Sequence, residues 1–179
     1  MKPTLVVMMG PAGTGKSFLA EEIKKSHDDT IIVSRDKIRF ALLRPEDDYF
    51  VVEPEVIRQY YYNINFGLHS QRHAYVIADA THLSKRSRKQ FFSNVKTDNV
   101  RVVGIWVEVP LDVALKQNRQ RTGRACVPEK VIKQMYKNKL TPQEDERFDE
   151  VIYVNPHEDM ALGRVNTGIT SIKEKLHLI

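Results

Sequence analysis

The sequence predicts an α/β fold, a doubly wound five-stranded parallel sheet with helices on both faces. Three observations lead there. Five short apolar runs, at 5–9, 31–33, 75–78, 102–109 and 151–154, are separated by stretches of helical periodicity. The runs are apolar without alternation, as strands buried on both faces require. No repeat, low-complexity tract or Gly/Ser-rich linker divides the chain, so residues 1–179 read as one domain.

Taken in order, 5–9 is the first strand and 16–26 the helix that follows it. The run 31–33 is the second strand, after which a short helix opens near Asp36. Helical patterns at 54–73 and 84–95 flank the third strand, which ends on Asp79. The fourth strand, 102–109, leads into helices at 111–120 and 128–139, and 151–154 completes the sheet. A last helix is expected near 168–177. Parallel neighbours need right-handed crossovers, and these layer the helices over the sheet. In such sheets ligands bind beyond the carboxyl ends of the strands, at the switch point.

The composition is that of a globular protein, with 28 basic and 23 acidic residues and a net charge of +5. That balance favours an anionic partner such as a nucleotide, a phosphosugar or a nucleic acid. No apolar run approaches the roughly 20 residues that span a bilayer. The first ten residues lack a signal-peptide cleavage pattern. The single cysteine, Cys126, cannot form an internal disulfide, which fits a reducing, cytoplasmic setting.

Gly10-Pro11-Ala12-Gly13-Thr14-Gly15-Lys16-Ser17 matches G-x-x-x-x-G-K-[ST] without a mismatch. Glycines let successive N–H groups turn toward phosphate oxygens, and the following helix adds its positive end. The expected cradle is Gly10 to Ser17 with Phe18 next to it. Lys16 is expected to reach the β- and γ-phosphates of ATP, and the Ser17 hydroxyl to ligate Mg²⁺. A guanine-reading Asn-Lys-x-Asp is absent, since Asn138-Lys139-Leu140-Thr141 lacks the acid and follows a helix. The chain is also short for the extra helical domain of ring-forming ATPases. A single P-loop kinase domain is the reading that remains.

Ser34-Arg35-Asp36-Lys37-Ile38-Arg39 follows the second strand. Transfer to an alcohol needs a carboxylate that accepts the hydroxyl proton, and Asp36 is the candidate. Arg39, three residues on, can share its face and bind a phosphate on the acceptor. The competing reading makes Ser34 or Asp36 a helix cap and Arg39 a surface charge. Asp79 is a candidate for the metal side, against a role as turn residue or cap for the helix near Ser84. Thr81, just beyond it, is placed with the acceptor site. The run Lys85 to Lys89 reads as a solvated helix face, and the acidic stretch 144–150 as a solvated approach to the fifth strand.

Asn118 to Pro128 holds Arg119, Arg121 and Arg124 around Gly123 and reads as an arginine-bearing lid, about 118–128. Arg121 and Arg124 are the candidates for neutralising charge on the transferring phosphoryl group. His69 and His73 stand four apart on a helical pattern with no third ligand sensibly spaced. Tyr60, Tyr61 and Tyr62 cannot share one helix face, so one or two are core and one is a candidate for the acceptor cleft. Trp106 reads as core.

These motifs resemble the 5′-hydroxyl polynucleotide kinase family of bacteriophage and bacterial end-healing enzymes. Three blocks carry the resemblance: residues 10–17, Ser-Arg-Asp-x-x-Arg at 34–39, and the passage from Asn118 to Tyr136 with its Val127-Pro128-Glu129-x-Val131-Ile132-x-x-Met135-Tyr136. The resemblance implies ATP and metal at Lys16 and Ser17, a general base at Asp36, and acceptor-phosphate binding at Arg39. It also implies a transition-state arginine at Arg121, although a lid one residue longer leaves Arg124 open for that place. The implied acceptor is the 5′-hydroxyl end of DNA or RNA. Kinases of small molecules or nucleotide sugars share the same cradle, acid and arginine, and a non-catalytic ATP-binding module would share the cradle alone.

Overall fold

Strand β1 (Thr4–Met9) is buried along its whole length and forms the middle of a five-stranded sheet. In the computed structural model, which describes residues 2–156 together with Ile172 and Leu176, β1 pairs with β3 (Tyr75–Asp79) on one side and β4 (Arg101–Val107) on the other. Outside these lie β2 (Thr30–Ser34) and β5 (Glu150–Val154), giving the order β2-β3-β1-β4-β5 with every pair parallel. This is the doubly wound sheet the sequence predicts. The register sets Met8 of β1 beside Asp79 of β3, and Asp79 beside Ser34 of β2.

The two faces of β1 feed two cores, as side chains that alternate along a strand must. Val6 and Met8 pack with Leu19 and Ile23 of α1 (Lys16–Lys24), and Ile172 and Leu176 join that layer. Leu5, Val7 and Met9 pack with Tyr60 and Ile64 of α3 (Glu53–His69) and Phe91 of α4 (Lys85–Asn94). Between β2 and α3 lies α2 (Arg35–Leu42), and α5 (Leu111–Arg119) and α6 (Glu129–Asn138) connect β4 to β5, joined by residues 120–128. The helix expected near 168–177 lies outside the described residues, save the two buried positions.

Two expected element ends change, while Tyr60 and Trp106 take the core places expected. The fourth strand ends at Val107, because Pro110 opens α5. Helix α3 ends at His69 with Ser70 as its cap, so His73 falls beyond the helix and the pair loses its common face. Among the described residues no group of three or more His, Cys, Asp or Glu is arranged to hold a metal ion. Tyr60 is buried, Tyr61 half-buried and Tyr62 exposed. Trp106 is core, with Nε1 donating to Glu108 at 2.8 Å.

The basic run on α4 is not wholly solvated. Arg88 has 0% exposure and donates to both carboxylate oxygens of Glu146, at 2.6 and 2.8 Å. It also donates to the carbonyls of His82, Leu140 and Thr141. Glu146 therefore belongs to this buried pair, not to a solvated approach. Arg88 shares the inner face of α4 with Phe91 and Phe92, which is why it turns inward. No helix among the described residues is long and apolar enough to cross a membrane.

Candidate active site

The loop after β1 takes the shape its glycines permit. Gly10 and Gly13 sit at φ 132° and 82°, and a Cβ at either would meet a backbone oxygen, that of Val107 at 2.1 Å or of Ala114 at 2.4 Å. No residue with a side chain fits there. Gly10 N–H is fixed by the Thr81 carbonyl at 2.9 Å, and Thr14 Oγ1 by Pro11 O at 3.0 Å. Ala12 N–H points at the Met135 thioether, 3.5 Å away on α6. Helix α1 starts at Lys16 with no side-chain cap and no acid in its first turn, so its N-terminal N–H groups are left for an anion. Phe18, one turn in, is largely exposed.

Lys16 is buried, with 8% exposure, and donates to Pro11 O at 2.5 Å. Burial pulls its pKa down from 10.5 to about 8, opposed by the carboxylates of Asp79 and Asp36 and assisted by the Arg121 guanidinium. Asp79, Asp36 and Arg121 come from three distant parts of the chain and all act on one ammonium group.

Each carboxylate has a defined holder. Ser17 Oγ donates to Asp79 Oδ2 at 2.8 Å. Helix α4 is capped by Ser84, whose hydroxyl accepts from Ser87 N–H while its own N–H donates to Ser87 Oγ, so Asp79 has no part in that cap. Likewise Ser34 caps α2 by accepting from Lys37 N, which leaves the Asp36 side chain, 63% exposed, free of the cap. Arg39 Nη1 donates to Asp36 Oδ1 at 2.8 Å, and its Nη2 to Glu53 Oε2 at 2.5 Å. The other Glu53 oxygen pairs with Arg35. Arg39 itself is buried, so it is the middle of a chain Glu53–Arg39–Asp36 rather than an open fork.

Arg121 and Arg124 face different partners. Arg121 lies where its charge reaches Lys16. Arg124, in the 3₁₀ turn Gly123–Ala125, donates through Nη2 to the carbonyls of Pro45 and Asp47, both at 2.7 Å. The two ends of the segment 118–127 are stitched by Asn118, which donates to Val127 O at 2.7 Å and accepts from Val127 N at 3.0 Å. Arg119 and Glu129 bridge α5 to α6 at 2.7 Å. Cys126 is an exposed free thiol.

Sequence reasoning missed Glu53, Asn118 and His82. His82 is buried, bonded to Tyr60 OH at 3.0 Å, and kept neutral, its pKa lowered to about 3 by burial and then by the nearby Arg35, Arg88 and Lys16 charges. A groove of about 650 Å³ beside β4 and β5, walled by Trp106, Tyr136 and Tyr153, contains none of Lys16, Asp36, Asp79 or Arg121. The candidate active site is therefore the charged surroundings of the cradle and not this groove.

A family model described as an AAA domain matches residues 5–140. The chain belongs to the AAA domain family. Along 97% of its length this AAA domain is 27% identical, over 181 residues, to the L-seryl-tRNA(Sec) kinase of Methanococcus maripaludis, of which it covers 68%. In fold it is similar to a putative kinase from Chloroflexus aurantiacus, with TM-score 0.70, 12% identity and coverage of 98% of this chain and 97% of that one. A fungal RNA kinase gives TM-score 0.69 at 14% identity, covering 98% of this chain and 86% of that one. The family, the cradle and these likenesses support ATP-dependent phosphoryl transfer by a P-loop kinase. The family is broader than the polynucleotide kinases that the motifs resemble.

Proposed function

We propose that this P-loop kinase transfers the γ-phosphoryl group of ATP to a hydroxyl carried by a polynucleotide, with the 5′-hydroxyl end of RNA or DNA as acceptor. The observation that carries the reading is the phosphate cradle with Ser17 bonded to Asp79 at 2.8 Å, beside a Lys16 that feels the charges of Asp79, Asp36 and Arg121. A donor-side lysine, a metal-side acid, an acceptor-side acid and a lid arginine in one place are the parts that in-line transfer needs. The names of the relative and of the fungal neighbour, which concern tRNA and RNA, support a nucleic-acid acceptor.

In this reading the acceptor oxygen forms a bond to the γ-phosphorus while the bond from that phosphorus to the β–γ bridging oxygen breaks, and ADP leaves. Asp36 takes the hydroxyl proton on the oxygen that Arg39 does not hold. Lys16 offsets charge between the β- and γ-phosphates, and Arg121 offsets charge on the equatorial oxygens. Ser17 and Asp79 are the residues that would hold Mg²⁺, whose charge would offset that of the phosphates. Their hard oxygens fit an ion that takes most of its shell from phosphate and water.

The test offers labelled ATP with 5′-hydroxyl DNA and RNA, nucleosides, nucleotide sugars and small alcohols, and identifies the labelled product. Label on the oligonucleotides supports the proposal. A second reading, a kinase of a small molecule or nucleotide sugar, is favoured by one observation: both terminal nitrogens of Arg39 are already engaged by Asp36 and Glu53, so no open fork awaits an acceptor phosphate. Label on a sugar or nucleotide sugar, with none on strands at low salt, would establish that reading instead.

A further inference from the structure

We propose that Phe50, braced by Tyr49, is a stacking platform for the nucleobase of the acceptor nucleotide. The proposal rests on the reading of Asp36 as acceptor base in a kinase of polynucleotide ends. Phe50 and Val51 are 69% and 60% exposed, side by side in the segment between α2 and α3. Single exposed apolar side chains need no explanation, but these stand beside the reacting groups. The Tyr49 ring meets Phe50 edge-on, with centroids 4.9 Å apart and planes at 83°, and it meets Phe40 edge-on on the other side. The Phe50 ring thus packs against an aromatic neighbour while most of it stays exposed.

The Arg39 guanidinium lies 4.8 Å from the Tyr49 centroid and 6.0 Å from that of Phe50. The same guanidinium holds Asp36 at 2.8 Å. One guanidinium therefore separates the aromatic pair from the carboxylate that takes the hydroxyl proton. In a nucleoside one sugar separates the 5′-hydroxyl from the base, so a hydroxyl at Asp36 brings its base to this side of the cleft. A ring with an open face accepts any base, because every base has a π-face. Glu46, Asp47 and Asp48 lie on the same segment and repel phosphates, so the platform takes one base while the rest of the strand runs away from it. The lid bonds from Arg124 to Pro45 and Asp47 hold this segment in place.

The experiment compares a 5′-hydroxyl oligonucleotide with the same strand made abasic at its 5′ residue, using the wild type, Phe50→Ala and Phe50→Trp, with thermal unfolding to confirm that each variant is folded. Phe50→Ala should raise KM for the base-bearing strand roughly 5- to 150-fold, the range base–aromatic stacking spans, with KM for ATP unchanged. KM for the abasic strand should not move, and Phe50→Trp should keep wild-type values. Equal losses on both strands, or a wild type indifferent to the missing base, would overturn the platform and leave the polynucleotide reading standing. If the wild type phosphorylates neither strand but does phosphorylate a sugar or nucleotide sugar, the polynucleotide reading fails and takes the platform with it.

Discussion

The Ser17 hydroxyl donates to the Asp79 carboxylate at 2.8 Å, joining the first turn of α1 to the carboxyl end of β3. In the proposed mechanism these two oxygens would hold Mg²⁺ or its water. Asp79→Asn keeps the shape and removes the charge. It should raise the Mg²⁺ concentration needed for half-maximal transfer, and leave the melting temperature of the protein without ligands nearly unchanged. A magnesium titration of the initial rate checks this, and an unmoved midpoint would remove Asp79 from the metal side.

Lys16→Met should abolish transfer and yet stabilise the protein without nucleotide. The ammonium is buried and its pKa is lowered to about 8, so holding it charged opposes folding by on the order of 3 kcal/mol below pH 8. Between about pH 8 and 10.5 the unfolded chain binds more protons at this lysine than the folded one, and wild-type stability rises with pH there. The stability gained in Lys16→Met should thus be full at pH 7 and much reduced near pH 10. Denaturant unfolding at the two pH values measures it.

Asp36→Asn should keep ATP affinity and lower turnover by about 10²–10⁴-fold, the range a positioned base contributes. Glu53→Gln tests the residue behind it. With Arg39 less firmly anchored, the Asp36 carboxylate should wander, and turnover should fall about 10- to 100-fold with KM for ATP unchanged. Normal turnover in Glu53→Gln would show that Arg39 holds Asp36 unaided.

Arg121→Ala and Arg124→Ala should differ in kind. Arg121 reaches Lys16, so its loss should lower kcat at saturating ATP by about 10³-fold or more. Arg124 holds the segment at Pro45 and Asp47, so its loss should chiefly raise KM for the acceptor. The reverse pattern in steady-state kinetics would exchange their roles.

Glu146→Ala should destabilise the fold by about 3–5 kcal/mol, because it leaves the fully buried Arg88 charge unpaired. Burial alone would raise the Glu146 pKa, but the Arg88 hydrogen bonds prevail and hold it below the usual value. The stabilisation from this carboxylate is therefore present above its ordinary pKa and is lost as pH falls through the lowered one. Unfolding of wild type and variant at neutral and acidic pH should show the gap closing in acid.

The cradle and the sheet were legible in the sequence because their determinants are local. Eight adjacent residues specify the phosphate loop, and each strand announces itself by an unbroken apolar run. What could not be read depends on contacts between distant segments. Glu53 is fourteen residues from Arg39 and meets it only after the intervening loop folds back. Arg88 was hidden by Lys85, Arg86 and Lys89, which are polar company for a residue whose spacing to Phe91 and Phe92 points inward. The cap alternatives for Asp36 and Asp79 were open because Ser34 and Ser84 stand close to them in sequence. The geometry assigns the caps to the serines.

The alignment of Met8, Asp79 and Ser34 across three adjacent strands has a mechanical consequence. The gap between the cradle, Asp79 and the start of α2 is set by the backbone ladder, about 4.8 Å per strand, and not by how neighbouring side chains happen to pack. Substitutions on the outer helices can loosen the molecule and reduce the folded population without stretching that ruler. Among such variants, specific activity per folded molecule should hold nearly constant while yield and melting temperature vary, so the chemistry is buffered against drift in the layers that surround it.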